Sequence, residues 1–428
     1  MNKKYLTLGF VIFAAALVLF FSGCVGPSIP PVNNTVKNNT QVNDTGSTLE
    51  GVNAVVNANN QFAFDLYSQF KDENKDVNIF FSPYSISVAL AMTYEGANGQ
   101  TAEEMQNVIH IPKDANLRRA NFAKIINEIN KKDKEYNLST ANALWAQKDF
   151  AFLENYTNVV KEYYDGEVIN LDFAGESEKS RQIINDWVEN QTNNKIKNLI
   201  PQGALDASTI FVLTNAVYFK GTWILQFNKN DTRDGDFKTS SGQIVKVPMM
   251  KLTGADSIFN YTETEDAQIL EMPYAGEDLS MLIILPKENK SENMEGFITP
   301  EKLSEWKNML EERRVDVYIP KLKFETKYFM RQTLIDMGMP SAFNDADFSG
   351  MTGQKDLMIS EVIHQAFVEV NEEGTEAAAA TAVIGVMSVG PNGTTIPIFR
   401  ADHPFIFIIQ QKDTGNILFL GRVSDPSK

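Results

Sequence analysis

Only one cysteine, Cys24, occurs in the 428 residues, so no internal disulfide can form and an exported form of the chain must be held by packing alone. Histidine is nearly as scarce. His110, His364 and His403 leave little for a histidine-based metal site or catalytic triad. Positive charge is in deficit: 39 Lys plus Arg against 55 Asp plus Glu give a net charge of −16, which argues against a whole-molecule grip on nucleic acid. The patterns HExxH, GxGxxG, GxxxxGKS/T and GxSxG are all missing, and with them the usual entry points to metalloprotease, nucleotide and hydrolase chemistry. The expectation is a protein that is not an enzyme and that needs neither cofactor nor metal.

What is present is ample material for a core. Apolar residues make up 43% of the chain and aromatics 11%, with charged residues at 22%, a globular balance. Lys3 and Lys4 precede an uncharged stretch from Tyr5 to Phe21, followed by Ser22, Gly23 and Cys24. That order of charge, apolar run and small residues is signal-peptide grammar. Phe21-Ser22-Gly23-Cys24 resembles a prokaryotic lipoprotein cleavage box, which implies removal of residues 1–23 and lipidation of the Cys24 sulfur. An uncleaved signal anchor is the alternative, since the run approaches the shortest length that spans a bilayer. Either way the bulk of the chain is expected outside the cytoplasm, tethered to the membrane or secreted.

Residues 24–50 are rich in Asn, Thr and Pro with almost nothing to bury, and are expected to be a flexible tether with a reach of about 25–30 Å. Asn33, Asn38 and Asn43 each begin an Asn-x-Thr triplet open to glycosylation. Residues 51–428 show no second linker and no repeat, and are read as one domain.

Helical spacing of apolar residues marks Asn53 to Phe70, Ile86 to Tyr94, Asn116 to Asn130 and Arg181 to Leu199. Strand patterns follow at Leu279 to Leu285, Val315 to Ile319, Ile359 to Val370, Phe405 to Ile409 and Asn416 to Val423. A helix-rich half followed by a strand-rich half predicts an α+β fold with large, mainly antiparallel sheets. In the strand around His364, Val362, Ala366, Val368 and Val370 share its face, so the imidazole is expected to be buried. Such a ring needs partners for both nitrogens. A core imidazole is the bland account, with a catalytic base or a structural switch as alternatives. The cations from Arg118 to Lys134 read as a solvated helix face, with a polyanion patch as the alternative.

The stretch expected to carry function is Glu372 to Pro397, too long for an ordinary connection between two strands. Thr375, Ala377, Ala379 and Thr381 alternate with Glu376, Ala378, Ala380 and Ala382. As a strand, one face would show only Thr and Ala, and could enter a crowded sheet without overpacking or burying charge. A short surface helix competes on propensity, because Ala is the best helix former.

Four motifs together identify a resemblance. NIFFSPYSISVALAMTYEGANGQTAEEM (Asn78 to Met105), LTNAVYFKGTW (Leu213 to Trp223), EVNEEGTEAAAAT (Glu369 to Thr381) and ADHPFIFIIQQKDTGNILFLGRV (Ala401 to Val423) have the order and spacing of the serpins. The resemblance runs from residue 50 to the end. It implies the serpin fold, with about nine helices, three β-sheets and an exposed reactive-centre loop at about 372–397. It also implies a monomer that traps a serine protease as a covalent acyl-enzyme while the cleaved loop enters the main sheet, a case of strand addition that releases stored strain.

Residue by residue, the resemblance makes Glu372, Glu373, Gly374, Thr375, Glu376, Ala377, Ala378, Ala379, Ala380 and Thr381 the hinge. Ser82, Ser85, Asn215 and His364 match the shutter, a hydrogen-bonded cluster beneath the sheet where strands part. Trp223, Lys321 and Glu372 match the breach, where the loop first enters. The scissile bond is expected at Met387-Ser388, with Ser388-Val389 as the alternative register. A Met before the bond suits chymotrypsin-, elastase- or subtilisin-like pockets. The alternative function is a non-inhibitory serpin acting as a surface binding module.

Overall fold

The structure, a computed structural model, describes residues 41–73, 76–131, 134–287, 298–375 and 396–428. Six helices lie in the first half: α1 (Leu49–Glu73), α2 (Pro83–Tyr94), α3 (Gly99–Ile109), α4 (Ala115–Ile129), α5 (Glu154–Tyr164) and α6 (Phe173–Gln191). Between and after them run β1 (Ile79–Phe81), β2 (Tyr136–Gln147), β3 (Glu167–Leu171) and β4 (Phe211–Thr222). The second half adds β5 (Arg233–Lys238), β6 (Ile244–Leu252), β7 (Ile258–Glu263), β8 (Ala267–Pro273), β9 (Leu279–Pro286), helix α7 (Pro300–Asn308), β10 (Glu311–Arg314), β11 (Asp316–Pro320) and β12 (Leu322–Phe329). Three short helices, α8 (Arg331–Asp336), α9 (Ser341–Asn344) and α10 (Ser349–Thr352), lead to β13 (Glu361–Asn371), β14 (Gly374–Thr375), β15 (Ile398–Arg400), β16 (Phe405–Gln411) and β17 (Ile417–Val423). The strands form three sheets ordered β1-β17-β16-β9-β8-β7-β10, β15-β11-β6-β5 and β12-β13-β14-β4-β2-β3. The α+β class and the three sheets agree with the expectation, and the described residues hold ten helices where about nine were expected.

Local chemistry explains the elements that matter here. Ser82 caps α2, its side chain accepting from the Ser85 N–H, and Pro83 opens the first turn. All twelve residues of α2 are buried, as expected for a helix apolar on every side that runs through the interior. It packs against β17, β4 and β2, placing its N-terminus under the middle of the six-stranded sheet. Strands β9, β16 and β17 are buried along their whole length. Phe80 of β1 stacks on Phe419 and Phe407 at ring distances of 5.2 and 5.7 Å. A second, smaller core on the other face of the six-stranded sheet joins α6 to it, with Trp187 edge-on to Trp145 at 5.4 Å.

One irregularity of this sheet positions everything that follows. From Glu361 to Phe367, β13 pairs directly and in parallel with β4, His364 opposite Asn215. Beyond that point the two strands part, and the two residues of β14 fill the gap, antiparallel to both neighbours.

Three expectations need correction. Helix α6 ends at Gln191, well before Leu199, because Asn193, Asn194 and Asn198 adopt left-handed backbone (φ 52°, 60° and 50°) that no continuing helix tolerates. The tether is shorter than expected: Val42 is buried, and α1 already begins at Leu49. Arg118 does not lie on a solvated face. It is buried with Glu95, at 2.8 Å, and Glu95 also takes Arg119 at 2.7 Å and the Tyr164 hydroxyl at 2.6 Å. Lys124, Lys131 and Lys134 are each paired with carboxylates, so this stretch offers no uncompensated basic patch among the described residues.

Arg118→Met should therefore cost about 1.5–3 kcal/mol in chemical denaturation, because it removes one of the two guanidinium groups bonded to the buried Glu95 while Arg119 and Tyr164 remain. Lys131→Met, at an exposed pair, should cost less than about 1 kcal/mol in the same measurement.

Candidate functional site

The site begins where β13 and β4 still touch. His364 is fully buried and its ring stacks beside Tyr328. The Ser82 backbone N–H donates to His364 Nε2 at 3.1 Å, which leaves the ring proton on Nδ1, donated to Asn215 Oδ1. The Asn215 Nδ2 group donates to Ser85 Oγ at 2.6 Å and to Asn142 Oδ1 of β2. Ser85 Oγ reaches the same Asn142 oxygen at 3.3 Å, and Ser82 Oγ donates to the Leu418 carbonyl at 2.6 Å. All four residues expected at this place from the sequence are brought together. Asn142 joins them, a buried amide on a strand that sequence alone did not single out. Burial pushes the imidazole down to about 3, against a small opposing effect from Asn215, so the ring is neutral at physiological pH. With both nitrogens engaged and the ring shut away from solvent, His364 is a tie between strands rather than a base.

Past the point after Phe367 where the strands part, and seven residues or some twenty ångströms of strand from His364, lies the turn into β14. The chain reverses between Asn371 and Gly374, and the Asn371 side-chain oxygen accepts from the backbone N–H groups of Glu373 and Gly374 at 3.0 and 3.3 Å. Both carboxylates of the turn are buried and both are clamped. Glu372 accepts from Lys321 at 2.9 Å and from the Thr232 hydroxyl at 2.8 Å; Glu373 accepts from Lys229. Burial alone would raise the Glu372 carboxyl, but the bonds from Lys321, from its own backbone and from Thr232 hold it below the ordinary range. Trp223 closes the turn from below: its indole N–H donates to the Asn371 carbonyl at 3.1 Å, and its backbone N–H to that of Glu373 at 2.8 Å.

The two strand residues beyond the turn are tightly specified. Gly374 has φ +154°, and a Cβ there would lie 2.0 Å from the Gly221 carbonyl oxygen, so only glycine lets the backbone pass so close to β4. Thr375 is buried, and its hydroxyl shares a 2.7 Å hydrogen bond with Tyr274, which stacks on Trp223 at 4.5 Å. The clamps from Lys229 and Thr232 and the Tyr274 contact had no signal in the sequence, since each comes from an element remote in the chain. Glu376, Ala377, Ala378, Ala379, Ala380 and Thr381, the bond at Met387, Ser388 and Val389, and Cys24 lie outside the described residues. No metal-holding cluster and no helix long and apolar enough to cross a membrane occur among the described residues.

Comparison with known proteins agrees with this architecture. A family model described as serpin (serine protease inhibitor) matches residues 57–426. A serpin-like protein of Thermococcus kodakarensis is 42% identical over 97% of this chain and 98% of its own length. The leukocyte elastase inhibitor of Xenopus laevis is 42% identical over 85% of this chain and 97% of its own. The solved structure of human thyroxine-binding globulin complexed with its hormone superposes with a TM-score of 0.80 at 33% identity, covering 88% of this chain and all of that one.

The depressed His364 pKa sets a pH dependence. The unfolded ring takes up a proton below about 6.5 and the folded one does not until about 3, so stability is complete above the upper value and declines as pH falls between the two. The slope attributable to this residue should be up to about 1.4 kcal/mol per pH unit. In His364→Gln, denaturation measured from pH 7 to pH 4 should be lower at neutral pH and flatter across the range.

Proposed function

Because the chain belongs to the serpin family, we propose that it is a suicide-substrate inhibitor of extracellular serine proteases with chymotrypsin-, elastase- or subtilisin-like pockets. A protease attacks the Met387-Ser388 bond; the serine hydroxyl adds to the Met387 carbonyl, the peptide nitrogen of Ser388 leaves, and Met387 remains as an ester on the enzyme. The loop then enters the six-stranded sheet, carrying the protease with it and distorting its site before water can release the ester.

The observation that carries this function is the register of Gly374 and Thr375. Thr375 stands opposite Val370 and Gly221. Continued in the same register, Ala377 would meet Val368 and Phe219, Ala379 would meet Ala366 and Val217, and Thr381 would meet His364 and Asn215. All of those partners are buried, so the incoming face must be small and uncharged, and it is. Ile384 would reach Glu361 and Val212, the far end of the paired strands, which leaves the scissile bond three residues beyond the sheet at the opposite pole. Growth of β14 must also part His364 from Asn215, so the buried cluster acts as the lock on the seam, and the Glu372 and Glu373 clamps set the turn from which insertion starts.

We further assign residues 1–23 to a cleaved signal, Cys24 to lipidation, and residues 25–40 to a tether, with a monomeric inhibitor held outside the cell membrane. A second function, a surface binding module, is supported by the likeness to a globulin that holds thyroxine.

Incubation with subtilisin or chymotrypsin should yield a complex of summed mass that survives SDS, with the cleaved bond read by mass spectrometry; clean cleavage without complex would count against inhibition. Loop cleavage should also raise the melting temperature substantially, whereas an unchanged value favours the binding module. Thr375→Arg should fold with β14 withdrawn and be cleaved as a substrate, because a guanidinium cannot take the buried place beside Tyr274.

A further inference from the structure

The chain ahead of α1 does more than connect. Val42 is buried at 6% exposure within the main core, and the Asn127 side chain of α4 grips its backbone from both sides, accepting from the Val42 N–H and donating to the Val42 carbonyl, each at 2.9 Å. Asn43 binds α5 in the same two-handed way: its N–H donates to the Glu162 carbonyl at 2.8 Å and its Nδ2 to Glu162 Oε1 at 2.6 Å. The Thr48 N–H donates to Asn121 Oδ1 of α4 at 3.0 Å, and Lys124 lies 3.8 Å from Asp44. Residues 41–48 thus lie across α4 and α5 and are bonded to each.

These two helices, together with Tyr84 and Val88 of α2, wall a cavity of about 20 Å3 whose floor is β2. Ile126 and Ile129 of α4 and Tyr164 at the end of α5 face Leu138 and Asn142 of β2 across it. A space of that size holds about one water molecule. Strand β2 pairs with β4 along eleven residues, so if β4 moves aside by one strand spacing, about 4.8 Å, β2 must go with it. The cavity cannot absorb such a displacement unless the helices that wall it, α4 and α5 among them, give way. Asn142, on its floor, is the residue that receives Asn215 and Ser85.

We propose that residues 41–48 are a strap which fixes α4 to α5 and thereby restrains the seam between β4 and β13, so that release of the strap loosens the Asn142–Asn215–His364 cluster. The consequence for inhibition rests on the proposed function; the restraint itself does not. Glycosylation of Asn43 would replace one of the two hydrogens on the amide that binds Glu162, so modification there competes with this contact.

Hydrogen–deuterium exchange on the full chain tests this without any protease. In Asn127→Ala and in Val42→Ala, amides of β2 and β4 should exchange about tenfold faster than in the parent, the change expected when a restraint of 1.4 kcal/mol is lost. Lys131→Met, just past the C-terminal end of α4 and not bonded to the strap, should leave them unchanged. Faster exchange confined to residues 41–50 and α4, with β2 and β4 unaffected, would overturn the proposal. Where the parent forms the SDS-resistant complex, the strap variants should also lose that capacity faster on warm incubation. Loss at the parent's rate despite a loosened seam would count against the inhibitory consequence alone.

Discussion

Two parallel strands that are bonded to each other for seven residues and then part are the constraint on which this molecule turns. Along Glu361 to Phe367 the seam is complete, tied at its centre by a neutral imidazole and an amide whose donors and acceptors are all used. Past Phe367 the strands need a third between them, because buried backbone groups left unpaired would cost about 1–3 kcal/mol each. Among the described residues, that need is met by the two residues of β14. The same hydrogen-bonding demand that admits Gly374 and Thr375 would be met just as well by a longer strand.

The chemistry at the two ends of the seam differs accordingly. At the turn into β14, charge is concentrated: two buried carboxylates are held by lysines from separate elements, with Trp223 and Tyr274 packed beneath. Pairs of this kind with half-exposed lysines add modest stability and mostly fix geometry. At the centre, charge is excluded, and a ring pushed to a pKa of about 3 stays neutral so that it can bind Asn215 without a counter-ion. In the proposed insertion, the first arrangement is where the entering strand starts and the second is what must break for it to advance.

Much of this was legible in the sequence, for identifiable reasons. Period-two burial around His364 placed the imidazole inside, and the small residues after Gly374 announced a face able to enter a sheet. Where the reading failed, a contact distant in sequence decided the matter. The cations around Arg118 look like a solvated face until Glu95 is seen to collect two guanidinium groups and a phenol. The polar run before Leu49 looks like pure linker, since Val42 is its lone apolar residue near the domain, and only the helix pair α4 and α5 gives that residue a place to go.

The sequence by itself determined the class of fold, the absence of disulfides, the buried histidine and the strand-compatible face, because each follows from composition or from a period of two or 3.6 residues. Only the tertiary structure decided that Asn142 completes the cluster, that Lys229, Thr232 and Tyr274 grip the turn, and that residues 41–48 are docked. These partners sit tens to hundreds of positions apart, and sheet register together with helix packing, not any local pattern, brings them within hydrogen-bonding distance.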